Sequence, residues 1–258
     1  MVIPRIIPIL TFIEGKLVKT VKFKKPNYIG DPINAIKLFN ELEVDELVFL
    51  DIRATKNNTP VNFELIKDIT SECFMPVAYG GGIRTIEEIE KLFAMGVEKI
   101  ILNSVAFTKP ELIEKAAEKF GSQSILVAID IKKGIFGKYK IFIEGGTKQV
   151  KKDVIESVKF FEKAGVGEII INSIDNDGMM QGYDLELIKT VTTHATVPVV
   201  AVGGAGHLND FVDAIEIGGA SAVGAGSMFV YHGRERGILI NYPSREEIEN
   251  IFKGLNNE

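Results

Sequence analysis

Met75-Pro-Val-Ala-Tyr-Gly-Gly-Gly-Ile83 in the first half of the chain returns as Val197-Pro-Val-Val-Ala-Val-Gly-Gly-Ala205 in the second. Each copy is a proline, an apolar run of strand type and a glycine cluster. A repeat at this spacing indicates a duplicated half-structure. Glycines that end an apolar strand leave the backbone bare, so an anion can approach its N–H groups.

The neighbours of the two copies repeat in the same order. Ile6-Ile-Pro-Ile-Leu10 corresponds to Ser124-Ile-Leu-Val-Ala-Ile-Asp130, and Glu46-Leu-Val-Phe-Leu-Asp51 to Glu168-Ile-Ile-Ile-Asn-Ser-Ile-Asp175. Lys99-Ile-Ile-Leu-Asn-Ser104 corresponds to Ala220-Ser-Ala-Val-Gly-Ala-Gly-Ser227. Four strand-like runs therefore occur twice. Segments of helical periodicity separate them, over residues 32–42, 85–93, 110–120, 152–164, 185–193 and 208–217. This alternation predicts an α/β fold, a (β/α)8 TIM barrel forming a single domain over 1–258, with half-barrels of about 1–120 and 121–245. A doubly wound open sheet is the rival arrangement; the four-by-two symmetry favours closure.

The 258 residues are 46% apolar, with no proline-rich linker, so the chain can bury a large core without disulfides. A single cysteine, Cys73, excludes an intrachain disulfide and suits a reducing cytoplasm; just ahead of a buried strand, it reads as packing rather than as a nucleophile. No basic-then-apolar leader and no long apolar span is present, which argues against secretion and membrane insertion. A net charge of −5 gives no global attraction to nucleic acid or to an anionic membrane. His194, His207 and His232 lack metal-ligand spacing, so neither metal nor cofactor is expected.

One cluster runs against the overall charge. Lys16, Lys19, Lys22, Lys24 and Lys25 follow the first strand, in a connection that a barrel places on its catalytic face. Two readings compete: a mobile basic loop that closes over an anionic substrate, or a solvated surface loop. The strand ends favour the first. Gly81 and Gly82, Asn103 and Ser104, Gly203 and Gly204, and Gly226 and Ser227 would end strands three, four, seven and eight, with Asp175, Asp177 and Gly178 after strand six. Their symmetry predicts two anion sites on opposite sides of the mouth, for a long ligand with phosphate or similar groups at both ends.

Together, Arg5-Ile-Ile-Pro-Ile-Leu10, Gly80-Gly-Gly-Ile-Arg84, Gly121-Ser-Gln-Ser124, Val127-Ala-Ile-Asp130, Asp177-Gly178 and Gly203-Gly-Ala-Gly206 resemble the cyclase subunit of imidazole glycerol phosphate synthase, HisF, over nearly the whole chain. The resemblance implies a glutamine-dependent synthase whose separate, HisH-like glutaminase releases ammonia that crosses the barrel interior to the substrate. It also implies a charged gate at the barrel base, here Arg5, Glu46, Lys99 and Glu168. All four are present.

The resemblance further implies two catalytic aspartates, at the ends of strands one and five. Asp130 matches the second; at the first this chain has Thr11. A threonine does not store a proton near neutral pH, so half of the two-carboxylate chemistry is missing unless a neighbour replaces it. Asp51 or Asp175 are the candidate substitutes, since they also end mouth-facing strands, and Lys19 is expected to hold an anionic group. Met179-Met180 and the stretch from Gly226 to Ser244 also depart from the histidine-pathway pattern. With residues 17–25 and 28–34 they resemble the HisF-like branch of surface-polysaccharide biosynthesis, which implies conversion of an acetamido sugar to an acetamidino sugar. The expected substrate is a phosphorylated or nucleotide-linked small molecule. Two alternatives stand beside this reading: a histidine-pathway cyclase that tolerates Thr11, and a scaffold that only activates its glutaminase.

Overall fold

The computed structural model describes residues 3–233 and 235–253; the outermost ends of the expected 1–258 domain, and residue 234, lie outside it. Its strands are β1 (Arg5–Ile13), β2 (Lys16–Val21), β3 (Lys24–Gly30), β4 (Leu47–Asp51), β5 (Val77–Gly80), β6 (Lys99–Leu102), β7 (Ile125–Lys133), β8 (Tyr139–Ile143), β9 (Lys148–Val150), β10 (Glu168–Ser173), β11 (Val199–Val202), β12 (Ala222–Ala225), β13 (Tyr231–His232) and β14 (Gly237–Ile238). Eight of them pair in parallel in the order β1-β4-β5-β6-β7-β10-β11-β12, and β12 returns to β1 to close the ring. The open-sheet rival is thereby excluded.

Side chains alternate along these strands because a pleated strand turns successive residues to opposite faces. On β1, Ile7 and Ile9 enter a lumen cluster with Val48, Ala78, Ile101, Leu126, Ile170, Val200 and Ala222. Ile6, Leu10 and Phe12 face the other way, into the layer between sheet and helices. The barrel interior is thus a column lined by apolar side chains.

The helices are α1 (Pro32–Glu41), α2 (Ala54–Asn57), α3 (Phe63–Glu72), α4 (Ile86–Ala94), α5 (Ser104–Thr108), α6 (Glu111–Phe120), α7 (Val154–Lys163), α8 (Leu185–Thr192), α9 (Leu208–Glu216), α10 (Ser227–Val230) and α11 (Arg245–Lys253). All six segments of helical periodicity are helices. Their starts are set by side-chain caps: Asp31 accepts from the N–H groups of Ile33 and Asn34, Asp153 from those of Ile155 and Glu156, and Thr85 with Glu88 forms a reciprocal capping box.

One expectation needs correction. The lysine-rich connection after the first strand is not an irregular loop but an antiparallel continuation of the sheet, β1 to β2 to β3. Its turns form because Glu14 and Gly15, then Lys22 and Phe23, take positive φ, the geometry of two-residue hairpin turns. Leu17, Val18 and Lys19 are buried, whereas Lys16, Lys22, Lys24 and Lys25 are exposed. The second half repeats the device: β7 runs on into β8 and β9. Each half-barrel therefore begins with a strand that rises beyond the mouth as a hairpin.

Candidate active site

Alternation sorts the charged residues of the barrel strands to two ends of one axis. Along β1 the inward sequence is Arg5, Ile7, Ile9, Thr11; along β10 it is Glu168, Ile170, Asn172; along β7 it passes Leu126 to reach Asp130. Arg5, Glu46, Lys99 and Glu168 gather at the base. Glu46 takes Arg5 Nη1 at 2.6 Å and Lys99 at 2.8 Å; Glu168 is bonded by Arg5 Nη2 and lies 3.8 Å from Lys99. The four expected gate residues thus form a closed ion ring, with Lys99 to Glu168 as its longest link.

A cavity of about 220 Å³ opens at the mouth. Of the expected catalytic and binding residues, all but Gly82 and Asp175 line it. A larger hollow of about 540 Å³ lies on the flank between the end of β1 and α3; it shares Asp51 but none of the other expected site residues. The smaller cavity is the one that gathers the chemistry.

Asp130 is buried. Its carboxylate accepts from Asn103 Nδ2 at 3.1 Å and from Asn172 Nδ2 at 3.4 Å. Burial, aided by the charge of Asp177, pushes its pKa up to about 7 against the pull of these two amides. Asp177 accepts from the Thr20 hydroxyl at 3.3 Å. Burial raises it to about 6, opposed by Lys19, the Thr20 hydroxyl and the Phe23 N–H. Lys19, also buried, donates from Nζ to the carbonyl of Ile9, and burial lowers it to about 8 against the attraction of Asp177. Three ionisable groups in one enclosure thus exchange protons between about pH 6 and 8, the range in which general acids and bases operate.

The two candidate substitutes for the missing aspartate each accept backbone bonds of their own. Asp51 Oδ1 accepts from the N–H groups of Arg53 at 3.1 Å and Ala54 at 3.0 Å, fixing the start of α2. Burial raises its pKa against those two bonds. Asp175 Oδ2 accepts from Lys133 N at 2.9 Å and so fastens β7 above the barrel. The acid that stands with Asp130 is Asp177. Thr11 lines the mouth, but its hydroxyl donates to the carbonyl of Val18 and ties β2 to β1.

The glycine ends have structural reasons of their own. An added Cβ at Gly81 would strike the Asp51 carbonyl, at Gly178 that of Thr20, and at Gly204 that of Gly182; at Gly203 it would lie 2.7 Å from Asn172 Oδ1. Gly226 matters most, because a Cβ there would occupy the place of the Lys19 ammonium. Gly82 faces Ala54 and Thr59 outside the cavity. Ser104 accepts from the N–H of Glu144 at 3.0 Å, and Ser227 opens α10. Cys73 is half-buried, and burial with Glu72 pushes its thiol up to about 12, so it is inert as a nucleophile.

The sequence reading missed Asn172 and Thr20 as site residues. Counting by twos from Glu168 would have placed Asn172 inward, beside Asp130 in the β10–β7 register. Asn172 Oδ1 is buried without a protein partner among the described residues, so one acceptor remains free in the cavity wall.

Comparison with known proteins agrees with this architecture. A family model described as "Histidine biosynthesis protein" matches residues 5–235. The chain is 49% identical over 249 residues to a Pseudomonas aeruginosa protein named "Putative imidazole glycerol phosphate synthase subunit hisF2", covering 96% of this chain and 99% of the relative. A Vibrio vulnificus relative of the same name but for the ending hisF3 is 47% identical, with 94% of each chain covered. "Imidazole glycerol phosphate synthase subunit HisF" of Alkaliphilus metalliredigens is 37% identical over 232 residues, 90% of this chain and 92% of the relative. The closed eight-stranded barrel and these full-length matches show that the chain belongs to the histidine biosynthesis protein family, in its HisF group.

Proposed function

We propose that the chain is the ammonia-consuming synthase subunit of a glutamine-dependent amidotransferase, and that it converts the acetamido group of a phosphorylated or nucleotide-linked sugar into an acetamidino group. The observation that carries this reading is the pair of side chains that β1 and β7 present to the mouth. Asp130 projects from β7 into the cavity, while the strand-one position holds Thr11, bonded to a backbone carbonyl. A carboxylate on β7 facing a threonine on β1 suits amidine formation, which needs a proton acceptor; closing an imidazole with release of a nitrogen leaving group calls for an acid and a base together.

In this reading a HisH-like glutaminase docks on the base, where the Arg5–Glu46–Lys99–Glu168 ring gates ammonia. Ammonia crosses the apolar lumen as the neutral species, since an ammonium ion would be stripped of water with nothing to replace it. At the mouth its nitrogen adds to the activated amide carbon, the bond from that carbon to the activated oxygen breaks, and Asp130 takes a proton from nitrogen. Lys19 holds an anionic group of the sugar. Activation of the amide falls to another protein, because the chain has no phosphate-loop lysine motif. The lone Cys73 supports a cytoplasmic site.

One observation favours a second reading. Asp177 is raised to about 6 beside Asp130, so the two could serve as the acid and base of the histidine-pathway cyclisation despite Thr11. Turnover of the histidine-pathway ribulose intermediate, with excess ammonium salt in place of a glutaminase, separates the two. We expect no turnover by the native chain and partial recovery in Thr11→Asp. Robust native turnover would overturn the sugar reading in favour of the cyclase.

A further inference from the structure

The net charge of −5 hides a strong asymmetry. Residues 14–30 and 131–152, the two hairpin segments raised above the mouth, together hold twelve lysines, two glutamates and no arginine. The rest of the chain is correspondingly acidic. At the tip of the second hairpin, Ile135 and Phe136 are 97% and 98% exposed, as bare as side chains in an unfolded peptide. They sit between Lys132, Lys133, Lys138 and Lys140, with Gly134 and Gly137 on either side. Lys133 is paired with Glu186 at 2.6 Å; Lys132, Lys138 and Lys140 are exposed.

The tip is held in place rather than left to fray. β7 and β8 pair from Asp130–Phe142 to Lys133–Tyr139, Asp175 fastens the Lys133 N–H, and Gly134 N donates to the carbonyl of Lys138 at 2.9 Å. The first hairpin is fixed too, by Lys22 N to the Asp177 carbonyl at 2.9 Å, and exposes Val21 and Tyr28 among its lysines. An isoleucine and a phenylalanine exposed side by side at the tip of a basic hairpin have no use in water, and neither lines the cavity.

We propose that the rim of the mouth docks on an anionic lipid bilayer, with Ile135 and Phe136 entering the headgroup region and the exposed lysines of both hairpins resting on its negative surface. The composition selects this occupant over an acidic protein. Protein interfaces are enriched in arginine and depleted in lysine, whereas clustered lysines combined with a few apolar side chains are what anionic membrane surfaces attract. Docking in this sense spans nothing, and no described helix is long and apolar enough to cross a membrane. It turns the mouth cavity toward the headgroups and leaves the base free for a partner. The inference does not depend on which reaction the cavity performs.

The chain contains no tryptophan, so Phe136→Trp supplies a unique fluorophore at the tip. The full chain is sedimented with phosphatidylcholine vesicles with and without phosphatidylglycerol, at low and high salt. The native chain should bind the anionic vesicles at low salt and lose most of that binding in high salt. The Ile135→Ser/Phe136→Ser pair should weaken binding about tenfold or more while ammonium-driven activity is unchanged. Tryptophan emission of the Phe136→Trp chain should shift to the blue on the same vesicles. Absence of binding to anionic vesicles at low salt, equal binding by the double variant, or unshifted emission on bound vesicles would each overturn the proposal. Engagement of an acidic protein by the tip, without vesicle binding, would overturn it in favour of a protein dock.

Discussion

The two ends of the barrel axis bury acids to a similar depth and treat them in opposite ways. At the base, Glu46 and Glu168 are 4% and 5% exposed and enclosed by Arg5 and Lys99. At the mouth, Asp130 is 9% exposed and meets two neutral amides, with its cation, Lys19, facing Asp177 instead. Burial alone therefore does not decide what a carboxylate does. A paired acid becomes part of a closure, and an acid left with neutral donors keeps its proton near neutral pH and is available for transfer.

The largest effect expected from breaking this contrast is at Asp130. Asp130→Asn should lower ammonium-driven kcat by about 10³-fold, in the range of a lost general base. The same change should stabilise the fold. A carboxylate whose folded pKa is about 7 binds its proton more tightly folded than unfolded, so it costs stability progressively as pH rises from about 4 to 7 and fully above that. Denaturant unfolding should show Asp130→Asn ahead of the native chain by about 1–3 kcal/mol at pH 8 and by little at pH 4.

The base should respond in the other direction. Glu46→Ala leaves Arg5 and Lys99 facing each other across an opened ring, and should cost about 1–3 kcal/mol, reduced because both cations are partly exposed. Ammonium-driven turnover should survive, while glutamine-driven turnover with a glutaminase partner should fall. Gly226→Ala sharpens the mouth side: displacing the Lys19 ammonium should raise KM for an anionic substrate about tenfold with a smaller change in kcat. The smallest effect belongs to Asp51→Asn. Asparagine can keep both bonds to the Arg53 and Ala54 N–H groups, so activity should stay within about threefold. A larger loss would return Asp51 to the chemistry.

The sequence made the barrel legible because the signal is repeated: the two proline-to-glycine runs and their neighbours are copies, and six amphipathic segments fall between them. The rim hairpins were harder. Residues 16–25 alternate as a strand should, and Glu14-Gly15 supplies a two-residue turn, but five lysines in that stretch mask the pattern. The site was legible in position more than in detail. Asp130 lines the mouth because strand ends must gather there, and Lys19 reaches the same cavity from the rim hairpin. That Asp177 rather than Asp51 or Asp175 stands beside Asp130 depends on where loops return, which spacing does not encode. In the sequence the glycine clusters suggest anion cradles, whereas their immediate necessity is the passage of another backbone or a side chain, visible only once the contacts are known.

The most direct test is the titration of the Asp130 carboxyl carbon, followed by NMR in the native chain and in Asp177→Asn. The account predicts a pKa near 7 in the native chain and a lower value in the variant, which removes the neighbouring negative charge. An ordinary carboxylate midpoint near 4 in the native chain, or a value unmoved by Asp177→Asn, would contradict it.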